Sequence, residues 1–153
     1  MGITVHLVGL QPHLLDDVRR DPSLLDRTGA NRVTAGEVDL GKTWAGIQFL
    51  LVGQPDPLAG GEPELEGTTY QVPPSVIGEA AVAAVAQALK RITPEELRAR
   101  FDPDALVSAE VYPEWLWHRE DALDELIERF SDLVWFYKRA AALGWAVLVC
   151  TTL

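Results

Sequence analysis

The sequence has one cysteine, one methionine and three histidines in 153 residues. A single thiol, Cys150, cannot close an internal disulfide, which fits a reducing compartment. His6, His13 and His118 lie far apart, and none stands at zinc spacing from a cysteine or a second histidine. No apolar run reaches the about 18 residues that a membrane-spanning helix needs. The start, MGITVHLVGLQPH, lacks the basic end, long apolar stretch and small-residue cleavage site of a secretion signal. A cytoplasmic chain without a metal or cofactor is the expectation. Positive charge is also scarce, with 13 Lys and Arg against 23 Asp and Glu, a formal charge of −10. The basic residues sit among acids, as in Asp16-Asp17-Val18-Arg19-Arg20-Asp21. No patch is left to neutralise phosphates, so neither nucleic acid nor an anionic membrane is an expected partner. A basic protein would instead be steered toward such a surface.

What is present is globular: 48% hydrophobic and 24% charged residues, in a length that suits one domain with a sizeable core. Ile3 to Leu10 is apolar and partly β-branched, a strand. Pro12 to Arg20 starts on proline and places Leu14, Leu15 and Val18 on one side of a short helix. Ser23 to Leu25 offers one more helical turn. Thr28 to Gly36 is polar and reads as loop. Asp39 offers an N-cap oxygen to a helix in which Leu40, Trp44, Ile47 and Leu51 share a face. Ala45, Phe49 and Val52 widen that face, which predicts deep burial, and Gly53 stops the helix.

Residues 54–67, QPDPLAGGEPELEG, form a long Pro-, Gly- and acid-rich loop, and Thr68 to Val72 a short strand. A helix is expected from Pro73 to Arg91, central in the packing because its middle, residues 80–86, is nearly all small. Thr93-Pro94-Glu95-Glu96 is a capping box opening a short helix that ends near Phe101. Asp102-Pro103 opens another, to Ser108. Val111-Tyr112-Pro113 is extended. Glu120 to Leu143 is the longest helix, with an apolar stripe of Leu123, Leu126, Ile127, Phe130, Leu133, Val134 and Tyr137 and a Glu125–Arg129 pair at i, i+4. Gly144 ends it, and Trp145 to Thr151 is a second terminal strand. Two terminal strands bracketing many helices define an α+β domain spanning 1–153, with both strands in one small sheet.

Residues 36–43, GEVDLGKT, match GxxxxGK[ST] literally. A phosphate-binding loop needs a buried strand just before it and a βαβ alternation around it. Residues 29–35, GANRVTA, are too polar for a central parallel strand. The segment therefore reads as a helix start, and a P-loop NTPase is rejected. Asp102-Pro103-Asp104 resembles a metal-binding DxD but is explained by capping, and His118 to Asp121 reads as a solvated helix start. No GxSxG elbow occurs. Cys150, in an apolar strand without basic neighbours, reads as a packing residue.

The richest segment is Glu110 to Trp117, EVYPEWLW, with two carboxylates, a tyrosine and two indoles. Such side chains suit pockets and interfaces, and the alternative is an aromatic plug over the core. Gln48, a lone amide in an apolar helix, is either a satisfied core group or a ligand.

Taken together, Met1-Gly2-Ile3, VDLGKTWAGIQFLLVG (38–53), LKRITPEELRARFDPD (89–104), Val111-Tyr112-Pro113 with Trp115 and Trp117, and Phe136-Tyr137 to Val149 resemble the YfbM-like family of bacterial proteins. This is the domain-of-unknown-function family numbered 1877. Asp39, Lys42 and Trp44 fit its pattern. Other members typically carry Asp in place of Gly41, so the GK pair is incidental. A histidine common at the position of Gln48 is replaced here, so no histidine chemistry transfers to it. The loop 54–67 is shorter than its usual counterpart. The resemblance implies an α+β domain and brings no activity with it.

Three functional expectations follow. One is a binding or inhibitor module of immunity type, acting on a basic protein through the acidic surface, the loop Glu62 to Glu66 and the tryptophan pair. Another is a small-molecule site or small enzyme, with Lys42, Trp44, Gln48, Glu110, Tyr112 and Trp117 as the candidates. In that case Glu110 would be the base, and Lys42 or Tyr112 would stabilise charge. The third is a scaffold without a site.

Overall fold

Ile3 to Leu10 is mostly apolar, with Thr4 and His6 the polar exceptions, because the strand it forms is covered on both sides. In the computed structural model, which describes residues 2–25, 34–58, 64–66, 68 and 71–153, β1 (Thr4–Leu10) lies inside a four-stranded antiparallel sheet. Its neighbours are β2 (Thr34–Asp39) and β4 (Ala146–Thr152), and β3 (Ser75–Ile77) completes the order β2-β1-β4-β3. The terminal strands pair directly, from Thr4 opposite Thr152 to Leu10 opposite Ala146. The expected α+β architecture is therefore present, with both ends of the chain in one sheet.

Side chains alternate between the two faces. Val5, Leu7, Ile77 and Val147 point to the larger core. There they meet α2 (Trp44–Leu50), α3 (Glu79–Lys90), α4 (Pro94–Arg100), α5 (Pro103–Ser108) and α6 (Ala122–Leu143). Val8, Leu10, Val76, Leu148 and Cys150 point the other way. They are covered by α1 (Leu15–Arg20), the 3-10 turn Pro22–Leu25 and Leu65. Among the described residues no helix is long and apolar enough to cross a membrane.

Gly9 and Gly36 face each other across β1 and β2, and the indole of Trp145 lies over both. A Cβ at Gly36 would stand 3.0 Å from Trp145 Cη2, and one at Gly9 would overlap the ring. The paired glycines make the slot that lets a tryptophan lie flat on the sheet.

Several expectations are corrected. The end of the supposed loop 28–36 belongs to β2; residues 28–33 lie outside the described residues. An edge strand needs apolar side chains on one face only, so Val38 is buried while Glu37 and Asp39 are exposed. Asp39 is not an N-cap: it ends β2, and its carboxylate accepts from Gly41 N at 2.8 Å, while Thr43 holds the cap position of α2. α2 is less buried than expected, since Val52 is 78% exposed just past its end.

Thr68, Gln71 and Val72 are bends; Thr69 and Tyr70 lie outside the described residues. The strand comes later, at Ser75–Ile77, where the helix was expected to begin, because Val76 and Ile77 bury on opposite sheet faces. α3 then begins at Glu79 and is peripheral. Val82, Val85, Ala88 and Leu89 are buried, while Ala80, Ala81, Ala83 and Ala84 face solvent. The caps at Thr93 and Asp102 form as expected, accepting from Glu96 N, and from Asp104 N and Ala105 N.

Candidate functional site

The turn between β2 and α2 places two of the expected residues. Leu40 N donates to Val5 O at 3.0 Å and Val5 N to Gly41 O at 3.3 Å, so the turn stays stitched to β1. From α6, Arg129 donates to Asp39 O at 2.8 Å. Arg129 is thus committed to the turn and does not form the expected ion pair with Glu125.

Lys42 and Trp44 project from this turn toward the start of β1. Trp44 Nε1 donates to Ile3 O at 3.1 Å, and the Tyr112 hydroxyl accepts from Ile3 N at 2.8 Å. Both backbone groups of one residue are therefore held by side chains far away in sequence. The two rings lie 6.1 Å apart, inclined by 33°. Gly2 lies against the Tyr112 hydroxyl and the Lys42 stem, with no room for a side chain. The Tyr112–Pro113 bond is cis.

Beyond this clamp, Lys42 Nζ stands 5.2 Å from the centroid of the Trp115 ring, and Arg119 Cζ stands 5.9 Å from the same centroid. Each contact is worth about 0.5–1 kcal/mol at an exposed site. Trp115 is 57% exposed. Together with Thr4, Gly41, Leu116 and Glu125 these three residues line a cavity of about 340 Å³. Arg119 also meets Asp121 at 3.4 Å, in a solvated pair. Among the described residues Lys42 and Glu125 form no ion pair.

The remaining expected residues lie elsewhere. Trp117 is sealed in the core, 1% exposed, with Nε1 donating to Val111 O at 2.8 Å. Gln48 donates to Asp56 Oδ2 at 2.9 Å, and the other Asp56 oxygen accepts from Leu58 N. The buried Tyr137 hydroxyl donates to Pro57 O beside it. Burial, and secondarily the Asp56 charge, push that phenol far above its ordinary range. Gln48 and Tyr137 thus anchor the loop that follows α2. Glu110 is exposed and has a left-handed backbone, φ 55°. It stops α5, with Glu110 N on Val107 O and Val111 N on Leu106 O, both at 3.0 Å.

So the structure brings together Lys42, Trp44 and Tyr112, and adds Trp115, Arg119 and Glu125. The one available signal was the four-residue spacing of Trp115 and Arg119. Glu64 pairs with Arg19 at 3.2 Å and Leu65 is buried; Glu62 and Pro63 lie outside the described residues.

Two further cavities lie among the described residues. One, about 340 Å³, is a charged groove between β2 and α6 lined by Glu37, Asp39, Arg129, Asp132, Trp135 and Arg139. The other, about 370 Å³, is an apolar groove between α3 and α6. Among the described residues no group of three His, Cys, Asp or Glu could hold a metal ion. The literal P-loop is excluded by geometry: Gly36 to Asp39 are strand, paired with β1 from Gly9 to His6.

These features define a small α+β domain whose two terminal strands lie at the centre of its sheet and whose surface cavity sits where β1 begins. The chain belongs to the family described as Domain of unknown function (DUF1877), which matches residues 1–150. It is similar in fold to YfbM from Escherichia coli, a protein of unknown function known from a crystal structure. The TM-score is 0.64 at 16% identity, over 97% of this chain and 99% of that one. No curated protein matches the chain.

Proposed function

We propose that this domain is a binding module that takes a small anionic ligand at the Lys42–Trp115–Arg119 cavity. One observation supports this above the rest: two cations lie over one solvent-exposed indole, on a cavity of small-molecule size. The indole offers a flat apolar face, and the cations offer charge to a carboxylate or phosphate. The clamp on Ile3 fixes the backbone next to Thr4, which lines the cavity, before any ligand arrives, and this lowers the ordering cost of binding. Of the expected small-molecule site, Lys42 would touch the ligand, and Trp44 and Tyr112 would hold the backbone beside Thr4.

The test is calorimetric titration with small aryl carboxylates and aryl phosphates at low salt. Binding that weakens about tenfold or more in Lys42→Met, and weakens with added salt, supports the reading. No heat from any of these compounds at millimolar concentration counts against it.

A second reading keeps the basic protein partner. Three carboxylates, Glu37, Asp39 and Asp132, outnumber two arginines, Arg129 and Arg139, in the groove beside Trp135, which is 63% exposed in a chain of net charge −10. An inhibitor module would present that groove, and reversing Asp132 to Lys would abolish capture of its partner.

A further inference from the structure

We infer that the ligand of the Lys42 cavity is zwitterionic, carrying an ammonium group as well as a carboxylate, as a free amino acid does. The inference rests on the anion-binding reading above and deepens it. The same cavity that presents Lys42 and Arg119 also presents Glu125. Glu125 is half-buried, in the first turn of α6, and among the described residues its carboxylate makes no ion pair and no hydrogen bond. Its expected helical partner, Arg129, donates to Asp39 O instead. Lys42, half-buried on the same cavity, has only the Trp115 ring.

A half-buried carboxylate that has lost part of its water and gained no partner disfavours a purely anionic ligand, which would meet like charge. It favours a ligand that brings its own cation. Two opposite, unmatched charges on one small cavity are complementary to a molecule whose ammonium and carboxylate are a few bonds apart. In this arrangement the carboxylate lies toward Lys42 and Arg119, the ammonium toward Glu125, and the side chain over Trp115. An aromatic or long aliphatic side chain suits the indole face best.

The test uses three probes that differ by one group: L-phenylalanine, 3-phenylpropanoate (no ammonium) and 2-phenylethylamine (no carboxylate). Each is titrated calorimetrically into the full chain, wild type and Glu125→Gln, at low salt. The expected result is that wild type binds phenylalanine at least about tenfold tighter than either analogue, since each lost group forfeits a charge-assisted contact. Glu125→Gln should erase the preference over 3-phenylpropanoate while still binding that anion. Equal or tighter binding of 3-phenylpropanoate by the wild type overturns the zwitterion while leaving the anion cavity standing. A phenylalanine preference that survives in Glu125→Gln also overturns it, because the ammonium is then recognised elsewhere. Failure of all three probes to bind overturns the inference and, if aryl phosphates also fail, the anion reading beneath it.

Discussion

Trp117 and Gly46 meet so closely that the outer edge of the indole occupies the place where a Cβ on residue 46 would stand. The contact joins the segment after α5 to the middle of α2, and it explains why a glycine stands inside that helix. In an open helix, Gly→Ala would stabilise by about 1 kcal/mol. Here the sign reverses, because the obstructing atoms belong to a ring that is 1% exposed, held by its Nε1 hydrogen bond, and unable to move aside. Gly46→Ala is expected to destabilise by about 1–3 kcal/mol, as overpacking does. Urea unfolding measures it, and a gain in stability would show that Trp117 has room to shift.

Tyr137 predicts a pH dependence with a definite direction. Its hydroxyl donates to the buried Pro57 carbonyl, and its pKa lies above the unfolded value of 10.0. The unfolded chain therefore releases this proton first. The stability that the neutral phenol contributes is complete below about pH 10 and is lost as pH rises beyond it. Tyr137→Phe leaves a buried acceptor without its donor, which costs about 1–3 kcal/mol near neutral pH. The variant's melting temperature should then fall less than that of the wild type between about pH 8 and pH 11. Parallel decline of the two proteins would mean that another group sets the alkaline limit.

Glu110 occupies a helix stop that glycine normally fills. α5 and α6 end in the same pattern of two backward hydrogen bonds, at Val111 N and Glu110 N in one and at Trp145 N and Gly144 N in the other. Gly144 adopts φ 71° and Glu110 φ 55°. A left-handed side-chain-bearing residue costs about 1–2 kcal/mol, and glycine gives back part of that through its freer unfolded chain. Glu110→Gly should therefore raise stability by about 0.5–1 kcal/mol, whereas Glu110→Ala should not. Thermal unfolding of the two variants side by side decides it. Equal stabilities would show that the left-handed backbone costs nothing here.

The elements were legible wherever a period or a cap spoke locally. β1 and β4 showed as apolar runs, α4 and α5 by Thr93-Pro94 and Asp102-Pro103, and α6 by its stripe. The misread segments are those whose structure depends on a distant partner. β2 is polar because it is an edge strand, and it exists because β1 pairs with it. β3 is three residues after a proline pair, and only β4 makes it a strand. The site divides in the same way. Lys42, Trp44 and Tyr112 were visible as polar and aromatic candidates, but the backbone of Ile3, where Trp44 and Tyr112 meet, is 41 and 109 residues away from them. Arg129 showed the limit of spacing rules, since a carbonyl 90 residues away holds it instead of Glu125.

Trp115 and Trp117 stand two residues apart with opposite surroundings, and that contrast tests whether the cavity exists for a ligand. The short 3-10 turn Glu114–Leu116 sends Leu116 and Trp117 into the core and leaves Trp115 57% exposed. Composition could not say which indole would be inside. Trp117→Ala should cost about 3–5 kcal/mol through the void it leaves. Trp115→Ala should cost no more than about 1–2 kcal/mol, because its contacts are two partly solvated cations. A large exposed indole that adds so little to stability has to be explained by what it touches from outside. Urea titrations of both variants, followed by ligand titration of Trp115→Ala, separate the possibilities. A loss above about 2 kcal/mol for Trp115→Ala would make the indole a structural cover and remove the main support for the cavity as a binding site.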